Sequence, residues 1–209
     1  QEAWRLVREQ TYGELGAVYL DFRRYAIVPG RQIRHYSLTQ PLLLDMAKHH
    51  IDLMRYVLGQ EPVSVYCRAW NPPWSPYRDP ASAAATVELS GGTTVSYRGS
   101  WVSPGPRTAW AGEWRMECAG GEVAWTSRSD LKTPSVDRVS ARPIGKEERD
   151  LSLPEVKHQD RVGALAEFVA AVSTGREPES SARENLQTLA LAFAAVESAR
   201  TGAPVTLAE

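Results

Sequence analysis

The chain has 209 residues, of which 43% are hydrophobic and 23% are charged, and its formal net charge is -1. This composition is typical of a soluble globular chain with one large domain or a small pair, and the balanced charge gives no reason to expect nucleic acid or a membrane as a partner. The sequence shows neither a membrane-spanning apolar run nor a signal-peptide pattern. Two cysteines, Cys67 and Cys118, lie in strand-like runs and favour buried thiols in a reducing, cytoplasmic location.

The first part of the chain predicts a helix, a strand and a loop. Residues 2–10 have a helical pattern that begins directly after the first residue, which suggests a chain that continues upstream. In residues 17–27, apolar residues alternate with polar or aromatic ones, so we expect a strand with two different faces. Pro29 and Gly30 end this strand, and a basic, aromatic loop at residues 31–36 leads into the next element.

The most informative stretch is residues 39–59, which predict one long α-helix. Thr39 is a suitable N-cap, Pro41 is tolerated in the first turn, and Gly59 ends the segment. Four polar residues follow one another at steps of four, three and four, which places them on one face of an α-helix: Asp45, His49, Asp52 and Tyr56. An apolar row that also includes His49 is expected to face a core.

Seven strand candidates follow, separated by turn residues, at residues 63–70, 83–89, 93–101, 113–119, 122–126, 136–144 and 149–153. Glycine pairs at 91–92 and 120–121 indicate hairpins. Two helices are predicted at residues 158–174 and 181–201, with a short edge strand or tail at 204–207. A series of hairpins without intervening helices predicts a largely antiparallel sheet.

These elements predict an α+β fold, in which amphipathic helices cover one face of a large, mostly antiparallel open sheet. The opposite face has no helix left to cover it and is rich in tyrosine and arginine, which are enriched in the cores of interfaces. We therefore expect a homodimer or higher homo-oligomer that forms through the open sheet face.

The residues alone leave two interpretations of Asp45 and His49. One turn apart, they suit an acid–base pair, in which the carboxylate fixes the histidine tautomer and the other ring nitrogen exchanges a proton with a substrate hydroxyl. Alternatively, Asp45 is a first-turn acid favoured by the helix dipole, and His49 is a structural histidine. No metal site is predicted, because Asp45, His49 and Asp52 are spread along one helix and do not converge on one ion.

Other chemistries have little support in the sequence. It contains no Gly-x-Ser-x-Gly elbow for nucleophilic catalysis. It also contains no Gly-x-Gly-x-x-Gly after a strand, so no nucleotide-phosphate site is predicted within this chain.

The order of motifs resembles a known family. The run Asp45-Met-Ala-Lys-His49-His-Ile-Asp52, continued to Gly59, is similar to the D-x-G-x-H-x-x-D segment in the C-terminal domain of the glucose–fructose oxidoreductase / inositol dehydrogenase (Gfo/Idh/MocA) family. The turn at residues 12–16, the hairpin at 89–101 that ends in Ser-Trp, the hairpin at 114–124 and the last helix and tail at 195–205 resemble that domain in the same order.

The resemblance implies a two-domain NAD(P)-dependent oxidoreductase, of which residues 1–209 are the C-terminal substrate-binding and dimerisation domain. NAD or NADP would be bound mainly by an N-terminal Rossmann domain that is absent from this chain, and hydride would pass between the nicotinamide and a sugar, polyol or related hydroxy compound. Asp45 and His49 match the family's catalytic aspartate and histidine, with His49 moving the hydroxyl proton. Their lysine partner would lie upstream of Gln1, so this chain alone is expected to be inactive.

The family also builds substrate contacts in this region, which makes Arg23, Tyr25, Arg34, His35 and Asp52 candidate substrate-binding residues. Two departures leave a different substrate pose or weaker turnover open: Thr39, Gln40 and Pro41 replace a glycine run, and Ala47 replaces a glycine. The alternative function is a non-catalytic binding or oligomerisation module in which the Asp/His helix is structural.

Overall fold

The computed structural model describes residues 1–127, 137–158 and 160–207 and confirms the α+β class. Its described strands form one nine-stranded sheet in the order β8-β7-β6-β5-β1-β4-β3-β2-β9. The strands are β1 (Leu15–Arg23), β2 (Pro62–Trp70), β3 (Ser82–Leu89), β4 (Thr94–Ser100), β5 (Glu113–Cys118), β6 (Gly121–Thr126), β7 (Arg138–Pro143), β8 (Arg149–Asp150) and β9 (Val205–Thr206).

Six helical segments accompany the sheet in the described part of the chain. Four are α-helices: α1 (Glu2–Arg8), α2 (Lys48–Leu58), α3 (Asp160–Thr174) and α4 (Asn185–Thr201). A 3-10 helix spans Arg34–Ser37, and a π-helix spans Pro41–Ala47 directly before α2. None of the helices described is long and apolar enough to cross a membrane.

Strand β1 lies in the centre of the sheet and makes its one parallel pairing among the strands described. It pairs in parallel with β4 and antiparallel with β5. Its alternate residues Val18, Leu20 and Phe22 are buried on the helix side, whereas Tyr19 and its neighbours of the same parity face the open side. The remaining strand neighbours are antiparallel, as expected from the hairpin signals.

The predicted helix at residues 39–59 differs from the observed one. Its first half is a π-helix, and the residue before it is Gln40, whose left-handed backbone (φ +47°) makes Thr39 the wrong N-cap. Gly59 ends the second half in a left-handed conformation, as expected. Because a π-helix uses i→i+5 hydrogen bonds, the side chains on either side of the junction do not keep the single α-helical face that the sequence suggested.

Two further expectations need correction. The strand candidate at 149–153 is reduced to two residues, and Val136, the start of another candidate, lies outside the described residues. Helix α3 was expected to cover the sheet, but most of its apolar side chains are exposed. The cover is supplied mainly by α1, α2, α4 and the π-helix, whose buried side chains join the core.

Ser198 fastens α4 to the sheet and gives a stability test. Its buried hydroxyl accepts a hydrogen bond from the Cys67 N–H (2.8 Å) and donates one to the Ala203 carbonyl (2.7 Å). Because Ser198→Ala leaves the Cys67 N–H without this acceptor, we expect the free energy of unfolding to fall by about 1–3 kcal/mol in urea denaturation. The exposed Ser173→Ala is the matched control and should change it by less than about 0.5 kcal/mol. Equal effects of the two substitutions would contradict the assigned role of Ser198.

Candidate functional site

The junction between the π-helix and α2 carries the predicted catalytic residues. Leu42, Leu43 and Met46 anchor the π-helix in the core, because their side chains are buried against the sheet and its helices. Asp45, on the same segment, keeps 46% of its side chain exposed. π-helical segments are rare in proteins overall, but those that occur are frequently found at functional sites. The irregularity itself therefore marks this junction as a candidate site.

Asp45 is held by a histidine from the loop before it. His35 Nε2 lies 3.2 Å from Asp45 Oδ2, and His35 Nδ1 lies 2.9 Å from the Tyr77 hydroxyl oxygen. With an ionised Asp45, the consistent assignment is that Nε2–H donates to the carboxylate and Nδ1 accepts from the Tyr77 O–H. Burial raises the pKa of Tyr77, which keeps its hydroxyl protonated as that donor. Tyr77, His35 and Asp45 therefore form a chain of hydrogen bonds that ends at a half-exposed carboxylate.

Aromatic rings fix the orientation of His35. Its ring packs edge-on against Trp101, with centroids 5.1 Å apart, and against Tyr77 at 5.4 Å. The Trp101 indole N–H donates to the Pro41 carbonyl at the start of the π-helix (3.1 Å). The same tryptophan thus supports both the histidine ring and the segment that carries Asp45.

His49 begins the exposed side of α2, one turn before Asp52. The His49 side chain is exposed, whereas Asp52 is partly buried. Burial raises the pKa of the Asp52 carboxyl, while the charges of Arg55 and His49 act in the opposite direction. The two side chains are therefore electrostatically coupled, and an imidazole open to solvent stands beside a carboxylate of raised proton affinity.

The buried histidine of this segment is His50 rather than His49. His50 is fully buried; its Nε2 donates to the Trp110 carbonyl (3.1 Å) and its Nδ1 accepts from the Tyr97 hydroxyl (3.3 Å). Burial is the main cause that lowers the pKa of His50 to about 4, so the ring is neutral near pH 7. His50 joins α2 to β4 and to the segment before β5, which fixes the helix that carries His49.

Within the residues that the structure describes, no group of three or more His, Cys, Asp and Glu side chains is placed to hold a metal ion. The acidic and imidazole groups of the junction are instead arranged in pairs, such as His35 with Asp45. The arrangement is suited to holding and moving protons.

Comparison with known proteins decides the family. The family model of the GFO/IDH/MocA C-terminal domain matches residues 1–123, more than half of the chain. The chain belongs to the GFO/IDH/MocA family. This result confirms the resemblance that the sequence motifs indicated.

Relatives extend the match over the rest of the GFO/IDH/MocA chain. The uncharacterized protein y4oX of Sinorhizobium fredii is 31% identical over 193 residues, which cover 90% of this chain and 52% of that protein. Aldose-aldose oxidoreductase of Caulobacter crescentus, solved with glycerol, is 21% identical with a TM-score of 0.79 and covers 99% of this chain and 59% of that one. An Agrobacterium radiobacter oxidoreductase, solved with NAD+, L-tartaric acid and magnesium, is 18% identical with a TM-score of 0.80, and the match covers 99% of this chain and 60% of that one. The chain therefore spans about half to three-fifths of these relatives, and the two solved structures establish the fold alone.

The glycine run of the GFO/IDH/MocA motif is replaced here by a strained residue. Gln40 adopts a left-handed backbone that glycine accepts without strain, and its N–H donates to Asp79 Oδ2 (3.1 Å). Ala47, at the other departure from the motif, is buried. The backbone conformation is thus obtained without glycine, at the cost of local strain at the start of the π-helix that carries Asp45.

The structure brings only some of the predicted substrate contacts to the junction. His35 and Asp52 lie there, whereas Arg34 is exposed at the start of the 3-10 helix. Arg23 lies on the open sheet face, where its guanidinium pairs with Asp21 (3.1 Å) and Glu113 (2.9 Å). Tyr25, two residues later, is exposed and by strand alternation shares that side. Arg23 and Tyr25 are therefore separated by the sheet from Asp45, and contact of any of these residues with substrate stays a prediction.

Sequence reasoning missed that Tyr77 and Trp101 support the junction, and it missed the burial of Arg24. Arg24 is buried, with its guanidinium 5.4 Å from the Trp110 ring centroid, and Tyr77 and Trp101 contact His35. The alternation of β1 contained a signal for Arg24, because it places this residue on the same side as Phe22. Tyr77 comes from a proline-rich loop whose return to His35 has no local sequence signature.

Proposed function

We propose that this chain is the C-terminal substrate-binding domain, spanning residues 1–209, of an NAD(P)-dependent oxidoreductase that acts on a sugar, polyol or related hydroxy compound. The observation that carries the proposal is the junction of π-helix and α2, where a carboxylate held by His35 is followed four residues later by the exposed His49. Membership of the GFO/IDH/MocA family and relatives named as oxidoreductases support it.

The proposed reaction divides between this chain and a cofactor. NAD or NADP, bound mainly by a domain that is not in this chain, would take the hydride from the carbon that bears the substrate hydroxyl. His49 would accept the hydroxyl proton as the carbonyl forms, so that the alcohol loses one hydride and one proton. Asp45 would bind the reacting hydroxyl compound, and its own position is set by the hydrogen bond from His35. Asp52 would stabilise the positive charge of protonated His49, with which its carboxyl interacts electrostatically.

The proposed activity is tested by turnover of the natural full-length polypeptide. Purified protein is assayed with NAD+ and with NADP+ against a panel of aldoses, inositols and hydroxy acids. We expect reduction of one cofactor with at least one of these compounds and no turnover by residues 1–209 alone. Robust turnover by the isolated chain would contradict the proposed division of the active site.

Tyr77 gives a finer test of the hydrogen-bond chain. Tyr77→Phe removes the O–H that donates to His35 Nδ1 but keeps the aromatic contact. Because a typical hydrogen bond contributes about 0.5–1.5 kcal/mol, we expect kcat of the full-length protein to fall about 2- to 13-fold. Tyr12→Phe, beside the β5–β6 turn, is the matched control and should leave kcat unchanged. A normal kcat of the Tyr77→Phe enzyme would contradict a contribution of the Tyr77 hydroxyl to catalysis.

The open sheet face is proposed as the surface of a homodimer or higher homo-oligomer. Tyr19 and Tyr66 are exposed there, and the guanidinium of Arg98 is fixed by two hydrogen bonds to Asp21 (2.9 and 2.6 Å). Ordered arginines and exposed tyrosines are typical of interface cores. The free thiols Cys67 and Cys118 support the further proposal of a cytoplasmic location.

Sedimentation tests the proposed interface. We expect a dimer or larger assembly at a protein concentration of roughly tens of micromolar. Tyr66→Asp should raise the dissociation constant by about tenfold or more, because it buries a carboxylate at the contact. Glu147→Asp, in the exposed turn before β8, is the control and should leave the assembly unchanged. A wild-type protein that sediments only as a monomer at this concentration would end the proposal.

A further inference from the structure

The loop between β2 and β3, residues 71–81, is held together by one asparagine. The side-chain amide of Asn71, at its start, donates to the carbonyls of Tyr77 (3.0 Å) and Asp79 (3.1 Å). The amide oxygen of the same side chain accepts from the N–H of Ala81, at the end of the loop (2.9 Å). An asparagine amide offers two donor hydrogens and an acceptor oxygen, and here both kinds of group are used within the loop. The loop is therefore fixed from inside.

The same loop is attached to the segment that leads into the π-helix. Three successive loop residues each make one hydrogen bond to that segment: the Tyr77 hydroxyl to His35 Nδ1 (2.9 Å), the Arg78 N–H to the Tyr36 carbonyl (2.9 Å), and Asp79 Oδ2 to the Gln40 N–H (3.1 Å). The last of these bonds reaches the residue directly before the π-helix. A fixed loop thus holds the segment at both of its ends.

Gln40 is in a conformation that it does not favour by itself. Its backbone is left-handed (φ +47°, ψ +56°), which is strained for a residue with a Cβ and persists only where the surroundings impose it. Its side-chain Oε1 is also buried without a hydrogen-bond partner in the part of the chain that the structure describes. The Gln40 carbonyl accepts from the Leu44 N–H (2.9 Å), so a change at Gln40 would move the first turn of the π-helix.

Asp79 supplies the hold that this conformation needs. Its carboxylate accepts the Gln40 N–H from outside the helix, and its other oxygen accepts from Arg78 Nε (3.1 Å). The Asp79 side chain is 23% exposed, so the carboxylate is partly shielded from water. A hydrogen bond to an ionised acceptor is stronger than one to a neutral carbonyl. The carboxylate is therefore suited to keep the Gln40 backbone left-handed.

We infer that Asp79 is a positioning residue for the catalytic pair Asp45 and His49. It touches neither side chain, and it acts by fixing Gln40, which sets where the π-helix starts and, through α2, where both side chains stand. The inference rests on the proposed function, which gives Asp45 and His49 their roles. A displacement of about 1 Å at a reacting group can lower a rate by about a hundredfold, so this hold matters for turnover.

A double-mutant cycle in the natural full-length protein tests the inference. Asp79→Ala should lower kcat by about tenfold or more. In a Gln40→Gly background the same substitution should change kcat by less than about threefold, because glycine adopts the left-handed conformation without strain. Asp150→Ala, which removes a carboxylate paired with Arg138 on the edge strand β8, is the control and should leave kcat unchanged. Equal losses from Asp79→Ala in both backgrounds would overturn the inference, since a merely structural role does not depend on residue 40.

Asp79→Asn adds a conservative variant to the cycle. It keeps an oxygen that can accept the Gln40 N–H but lacks the charge, so its kcat should lie between those of Asp79→Ala and the wild type. If the alanine variant does not fold, the asparagine variant takes its place in the cycle with Gln40→Gly. A loss of kcat from Asp79→Asn that Gln40→Gly does not reduce would overturn the inference.

Amide hydrogen exchange of residues 42–47 separates the inference from the proposed function, because it needs no turnover. Asp79→Ala should accelerate this exchange by about tenfold or more, and the acceleration should disappear in the Gln40→Gly background. Unchanged exchange in Asp79→Ala would overturn the inference and leave the proposed function intact if the wild type turns over. The expected exchange pattern in a wild type without turnover would overturn the proposed function and leave Asp79 as the residue that fixes the π-helix.

Discussion

Replacing His49 by alanine in the full-length protein is expected to lower kcat by about two to four orders of magnitude. The side chain is exposed at the start of α2, four residues after Asp45, and its imidazole is the group assigned to accept the substrate proton. Because the side chain lies outside the core, its removal should change catalysis without unfolding the domain. Steady-state kinetics with saturating substrate measure the effect, and thermal unfolding verifies that the variant is folded.

His158→Ala provides the matched control for His49→Ala. His158 is also exposed, but it precedes α3 and takes no part in the junction. We expect its kcat to equal that of the wild type. If His49→Ala turned over at a near-normal rate, the proton-transfer role of His49 would be wrong, and Asp45 with His35 would be the next candidates.

The second large effect is acid destabilisation through His50. Its pKa of about 4 in the folded chain lies below the ordinary value of 6.5, so the unfolded chain binds more protons between these pH values. Stability from this group is therefore present above about pH 6.5 and is lost as the pH falls toward 4. At roughly 1.4 kcal/mol per pKa unit, the loss approaches about 3 kcal/mol of unfolding free energy.

Urea denaturation from pH 7 to pH 4 measures this effect. Carboxylates also titrate in the lower part of the range, so the comparison is made against His50→Gln, which keeps hydrogen-bonding groups but cannot gain a proton. We expect the variant to be less stable at pH 7 and to lose less stability on acidification. Identical pH dependence of the two proteins would contradict a neutral, buried His50.

Most of the sheet could be predicted from the sequence, but its central pairing could not. The alternation in β1 correctly placed Val18, Leu20 and Phe22 in the core, and the glycine turns correctly indicated the hairpins β3–β4 and β5–β6. Alternation determines which face a side chain takes, not which strand lies alongside. The parallel pairing of β1 with β4 joins segments about 75 residues apart, so no local pattern encodes it.

The candidate site was only partly predictable for a related reason. Sequence spacing assumed an unbroken α-helix and placed His49 in the buried row, whereas His50 is the histidine that the core buries. The wider π turn before Lys48 displaces the helical phase, and the sequence has no simple signal for it. The contact of His35 with Asp45 and Tyr77 depends on two loops that meet only in the folded chain.

For helix α3, the sequence predicted the helix correctly but not the surface against which its apolar face packs. Its apolar spacing predicted a helix that covers the sheet, and the helix is present, but its apolar side chains point away from the described core. Periodicity indicates that a face is to be buried without saying against what.

Cofactor binding tests the central claim most directly. Isothermal titration of the natural full-length polypeptide, and of residues 1–209 alone, is carried out with NAD+ and with NADP+. The account predicts saturable binding of at least one cofactor by the full-length protein and at least about a hundredfold weaker binding by residues 1–209, since the chain lacks a phosphate-binding glycine motif. Failure of the full-length protein to bind either cofactor, or equal binding by residues 1–209, would contradict it.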